Sequence, residues 1–75
     1  MTEQEAVREA MKVRGYNQTF VAEKAGFKGQ STVAEYLRSK HMRVDNLVRM
    51  LNAMDFDLVV VDRANSDNKW KVELE

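Results

Sequence analysis

Apolar side chains recur at helical spacing through the first 54 residues, and the period then changes. Val7, Ala10 and Met11 mark a first amphipathic stretch. Thr2 and Glu5 before it have the spacing of a capping box, and Arg14-Gly15 ends it. Asn17 is placed to cap a second helix with Phe20, Val21 and Ala25 as its apolar stripe, stopped by Gly26. After Phe27-Lys28-Gly29, the run Gln30-Ser31-Thr32 opens a third helix, and Val33, Tyr36 and Leu37 form its buried face. Ser31 or Thr32 is the expected cap, with Thr32 and Glu35 spaced for a second capping box. Ser39 to Arg43 is a basic loop, followed by a fourth helix with Leu47, Met50, Leu51 and Met54 on one face.

Asp57-Leu58-Val59-Val60-Val61-Asp62 is short and β-branched, which predicts a strand. Ala64 to Asn68 is turn chemistry, and Lys69 to Glu75 alternates polar and apolar at period two. The pair is an expected hairpin. Its first strand is apolar on both faces, so it calls for a layer on each side. The helices of the same chain can supply one layer and a second copy the other, across a two-fold axis. Val59, Val61, Trp70 and Val72 are the candidate dimerisation residues. The alternative is that a helix of the same chain covers the second face as well.

The expected fold is therefore mainly α with a small β element: four or five helices, then a C-terminal hairpin. Residues 1–56 form the helical domain and residues 57–75 the hairpin, an element of the same domain.

Composition supports a folded chain, with 44% hydrophobic and 32% charged residues, and 75 residues allow a single domain. The absence of Cys removes disulfides and thiolate metal ligands. Without such staples a domain this small gains stability by oligomerising. No apolar run is long enough to span a membrane, and the acidic start, Met1-Thr2-Glu3-Gln4-Glu5, is unlike a signal peptide, so a cytoplasmic location is expected. One His, no Cys and three Gly leave no nucleophile–base pair or phosphate loop, so neither an enzyme nor a cofactor or metal site is expected. His41 is a lone loop histidine, and the five Met are core filler.

The zero net charge hides a division. Residues 1–54 carry nine bases and six acids, and residues 55–75 carry three bases and six acids. Five of the bases fall between Lys24 and Arg43, with only Glu35 opposing them. A basic middle is the electrostatic footprint of a nucleic-acid binder, and the acidic tail is the part that would face away.

The second and third helices have the proportions of a helix-turn-helix. The small Ala22 lets the third helix cross closely, and Gly26 makes the turn. Gln30, Ser31, Ala34, Glu35 and Arg38 are left on the outer side of the third helix. The segments Gln18-Thr-Phe-Val-Ala22-Glu-Lys-Ala-Gly26, Val33-Ala-Glu-Tyr-Leu37, Val44-Asp-Asn-Leu47 and Leu51-Asn-Ala-Met54 resemble the Xre family of lambda-repressor-like helix-turn-helix regulators. The resemblance covers about residues 6–58. This chain departs from the pattern in a turn one residue longer, in Leu37-Arg38-Ser39 closing the third helix, and in lacking a Pro before the fourth.

The resemblance implies a DNA-binding domain that works on operators as a dimer. It implies that Gln18 contacts the DNA backbone and that the start of the third helix reads bases. From chemistry, Gln30 suits adenine, Glu35 suits cytosine N4, and Ser31 and Thr32 are small donors beside them. Lys28, Arg38, Lys40 and Arg43 are the candidate phosphate contacts. The expected function is a sequence-specific regulator, a repressor, that binds double-stranded DNA as a homodimer. The alternatives are an antitoxin whose acidic tail holds a toxin, and a protein-interaction module without DNA binding.

Overall fold

The computed structural model describes residues 1–74. Its elements are α1 (Glu3–Arg14), α2 (Gln18–Ala25), α3 (Gln30–Arg38), α4 (Val44–Ala53), β1 (Leu58–Val61) and β2 (Lys69–Val72). Four helices form a compact unit, and the two strands form an antiparallel hairpin after it. The chain is thus mainly α with a C-terminal hairpin, and no fifth helix occurs among the described residues. Nor is any described helix long and apolar enough to cross a membrane.

Local chemistry sets the first two helices. The Thr2 hydroxyl accepts from the Glu5 N–H at 3.2 Å, and the Glu5 carboxylate accepts from the Thr2 N–H at 3.1 Å. This is a complete capping box. Asn17 Oδ1 accepts from the Phe20 N–H at 2.8 Å and caps α2. Gly15 and Gly26 follow α1 and α2 at φ 70° and 78°, the left-handed conformation that costs a side chain about 1–2 kcal/mol.

The α3 terminus departs from the expected capping. The helix begins at Gln30 behind Gly29, with no side-chain cap, so Thr32 lies inside the first turn and makes no box with Glu35. Gly29, fully extended, stands in the cap position, and Val33 and Leu37 are buried as expected.

The core contains Val7, Ala10, Val21, Ala22, Val33, Leu37, Leu47, Met50, Leu51 and Met54. The α4 stripe is as expected, with Val48 buried beside it. Four expected stripe positions lie further out than the core, with Met11 and Ala25 half-buried. Phe20 is exposed, edge-to-face with Tyr16 at 4.6 Å, and Val21 with Ala22 forms the buried side of α2. Tyr36 is half-buried, packing edge-on against Phe27 at 5.5 Å. Ala22, 1% exposed, lies within the packed core that joins α2 and α3.

The hairpin differs from expectation in its surroundings. Register pairs Leu58 with Val72, Val59 with Lys71, Val60 with Trp70 and Val61 with Lys69. Only Leu58 joins the core, and every residue from Val59 to Lys71 is exposed. No layer of helices covers either face beyond the root, and the Cα trace extends 39 Å along its long axis against 25 and 23 Å across. Trp70, a candidate dimerisation residue, is 61% exposed. The second strand ends at Val72, short of the expected Glu75, which lies outside the described residues.

The root is held from α1. Arg14 Nε donates to the Met54 carbonyl at 2.8 Å, and its Nη2 donates to the Asp55 carbonyl at 3.3 Å. The same guanidinium lies 4.4 Å from the centre of the Phe56 ring. Asp55 is itself in the left-handed region, φ 62°, where the chain leaves α4.

Candidate nucleic-acid interface

At about 100° per residue, Gln30, Ala34, Arg38, Ser31 and Glu35 fall in one arc of about 140° on α3. Gln30, Ser31, Glu35 and Arg38 are exposed and Ala34 is half-buried between them. Val33 and Leu37 adjoin the Gln30 edge of this arc and are buried. Thr32 lies at the margin, half-buried and turned from the arc, which separates it from the other expected base contacts.

The side chain of Gln30 is held by one hydrogen bond. Its Nε2 donates to Gln18 Oε1 at 3.0 Å, joining the first residue of α3 to the first residue of α2. The bond uses one of the two amide hydrogens of Gln30. The other hydrogen and the carbonyl oxygen remain for a ligand, and so does the amide nitrogen of Gln18. The one-residue-longer turn therefore does not part the two glutamines.

The C-terminal end of α3 is anchored by α1. Gln4 Nε2 donates to the Ser39 carbonyl at 2.7 Å, and Arg8 Nη2 donates to the Leu37 carbonyl at 3.4 Å. Two of the carbonyls that a helix end leaves without partners are thereby satisfied. Sequence inspection does not find this role for Gln4 and Arg8. Their i, i+4 spacing puts them on one side of α1, but nothing local shows what that side meets.

The expected phosphate-contacting bases flank the arc. Lys28 is exposed in the turn before α3, Arg38 ends it, and Lys40 is exposed in the following loop. Arg43 caps α4 by position and pairs with Asp45 at 3.0 Å, so its charge is already partly answered. Ser39 Oγ donates to the His41 carbonyl at 2.8 Å, which shapes this loop. Among the described residues no cluster of His, Cys, Asp or Glu is arranged to hold a metal ion.

On the hairpin, the expected dimerisation residues fall on two faces. Val60 and Trp70 are opposed, as are Leu58 and Val72, so these four share one face. Val59 and Val61 share the other with Lys71 and Lys69. The set Val59, Val61, Trp70 and Val72 is thus divided and cannot form a single flat patch. The cause is register: a strand alternates faces at every residue.

The chain was compared with known proteins in three ways: no family model matches it, no curated protein matches it, and no solved structure matches it.

Proposed function

We infer that this chain is a sequence-specific DNA-binding regulator, acting in the cytoplasm as a homodimeric repressor on a palindromic operator. The observation that carries this reading is the Gln30–Gln18 bond beside an unobstructed outer arc on α3. A major groove about 12 Å wide admits a helix, and a glutamine amide meets the N6 and N7 edge of adenine with two hydrogen bonds. Gln30 keeps one donor and one acceptor for such an edge while Gln18 holds the amide in place. Gln18 keeps its own amide nitrogen for a phosphate. Lys28, Arg38 and Lys40 surround the arc with positive charge, which supplies affinity without sequence preference. Glu35 tolerates only a donor such as cytosine N4 and repels a misplaced phosphate. The resemblance to Xre-type regulators agrees with these assignments.

The test is selection of binding sites from random duplex DNA with the purified chain. The expected result is an enriched palindrome whose half-sites lie about one helical turn, ~34 Å, apart. A folded protein that enriches no motif is a protein-interaction module instead.

A further inference from the structure

The hairpin leaves the outer edge of β1 without a partner, and its chemistry is that of a strand awaiting one. Asp62 N–H donates to the Asn68 carbonyl at 2.9 Å, and these two residues continue the register of the ladder. Antiparallel pairs alternate between bonded and non-bonded, so Val60–Trp70 and Leu58–Val72 are the bonded pairs. The backbone N–H and C=O groups of Val59 and Val61 therefore point outward, away from β2. All three valines of β1 from Val59 onward are more than 40% exposed. No charged residue or proline interrupts Leu58–Val61, whereas natural sheets protect an open edge with such residues. On the other edge β2 has that protection, in Lys69 and Lys71.

We propose that β1 pairs antiparallel with β1 of a second copy, Val59 opposite Val61, placing Val60 on the two-fold axis of a four-stranded sheet. The proposal rests on the homodimer of the reading above and specifies its seam. Three observations favour a second copy over another partner. The edge is uncharged and reads the same in both directions of an antiparallel match, Val-Val-Val against Val-Val-Val. The register that centres on Val60 brings Asp57 opposite Arg63 of the partner subunit, and the reverse, at both ends of the pair. Neither Asp57 nor Arg63 has a salt-bridge partner within the chain among the described residues. Of the three registers the Val60 one alone pairs these two charges: centring on Val59 sets Asp57 against a valine, and centring on Val61 sets Arg63 against one, while Asp62 faces an apolar residue in each, Leu58 of the partner subunit in the Val60 register. Finally, a two-stranded hairpin standing in water is marginal, and two added strands remove that weakness. The same pairing aligns Trp70, Val60 and their copies in one apolar row across the sheet.

The chain lacks cysteine, so a single introduced thiol reports the seam directly. At a non-bonded antiparallel pair the Cα atoms are about 4.5 Å apart, within disulfide range. Mild oxidation of Val60→Cys should give a covalent dimer with its helical circular dichroism retained. Val59→Cys should stay uncrosslinked, because its own copy lies about two residue pairs away. Asp57→Arg alone should raise the dimer dissociation constant about tenfold by placing like charges together, and Asp57→Arg/Arg63→Asp should restore it. A dimer by sedimentation in which Val60→Cys does not cross-link overturns the proposal. So does cross-linking of Val59→Cys to the same extent, a charge swap without rescue, or a chain that remains monomeric at high concentration. A cross-linked dimer that selects no DNA motif would remove the DNA reading and leave the seam standing. Motif selection by a chain that fails to cross-link would do the reverse.

Discussion

Gln30 and Gln18 are twelve residues apart in sequence and joined by one 3.0 Å hydrogen bond between their side-chain amides. The half-buried Gln18 and the exposed Gln30 are therefore coupled, and under the proposed function the coupling bears on binding. Gln30→Ala should cost about 1–3 kcal/mol of discrimination at one base position and leave thermal stability unchanged. Gln18→Ala should weaken binding to all sequences and also blur the preference at the position Gln30 reads, because the amide then rotates. Site selection with each variant, beside melting curves, separates these effects.

Salt dependence should report the flanking bases. Each phosphate contact contributes about one unit to the slope of log affinity against log salt. Lys40→Ala/Arg43→Ala should lower that slope by about one to two units. The smaller value applies if Asp45 keeps Arg43 engaged, as it does at 3.0 Å in the free chain. Fluorescence anisotropy at several salt concentrations measures it, and an unchanged slope excludes both residues from the backbone contact.

Arg14 holds two carbonyls and stacks on Phe56, linking the end of α1 to the exit from α4. Arg14→Ala should destabilise the chain by about 1–3 kcal/mol, since bonds from a charged donor are among the stronger ones. Arg14→Lys should recover less than half of the loss, because an ammonium has no planar fork to span both carbonyls. Urea denaturation followed by circular dichroism gives the two values.

Two glycines three residues apart should respond differently. Gly26 has φ 78°, and an added Cβ would meet nothing within 4 Å, so Gly26→Ala carries only backbone strain of about 1–2 kcal/mol. Gly29 is fully extended with equal space around it, so Gly29→Ala should leave the melting temperature within about two degrees of the parent. Differential scanning calorimetry of the two variants decides this.

Acid should loosen the molecule at two local structures. The Thr2 N–H and hydroxyl hold Glu5 below its usual value, and the Asn68 amide with the Ala64 N–H does the same for Asp62. A lowered folded value means that the native state favours the ionised form. The stability so gained is complete above the ordinary carboxylate range, near about 4, and is lost as pH falls through the lowered values. Glu5→Gln/Asp62→Asn should flatten the acid limb of the stability curve while changing little near neutrality. Carboxyl carbon chemical shifts followed through the titration check both groups individually.

What was legible in the sequence follows from how local each feature is. Thr2 with Glu5, Asn17 with Phe20, and the two stopping glycines act within a few residues, and all four stand where composition predicts them. The α4 stripe is equally legible, because four apolar residues at helical spacing leave no other face to bury. The cap of α3 was not: the helix already begins at Gln30 behind Gly29, where Ser31 or Thr32 was expected to cap it. The side-chain bonds from Gln4, Arg8 and Arg14 span 29 to 41 residues, and no local pattern encodes such partners. The outer arc of α3 was read as Gln30, Ser31, Ala34, Glu35 and Arg38, and of these only Ala34 is not fully exposed, yet the Gln18–Gln30 bond needed the turn in three dimensions. The hairpin was legible as an element, while its exposure depends on where the four helices stop.

The ends of α3 are secured by neighbours rather than by its own outer side chains. Val33 and Leu37 seat it, and Gln4 and Arg8 close its last carbonyls from α1. Ser31, Glu35 and Arg38 make no side-chain hydrogen bond to the chain among the described residues. Under the proposed function, folding and target choice are thus written at different positions of one nine-residue helix. Exchanging Ser31, Glu35 and Arg38 together should yield a protein that melts as the parent does but prefers another duplex. On that reading the scaffold is retargetable, with a few surface codons free to vary while the remainder stays fixed.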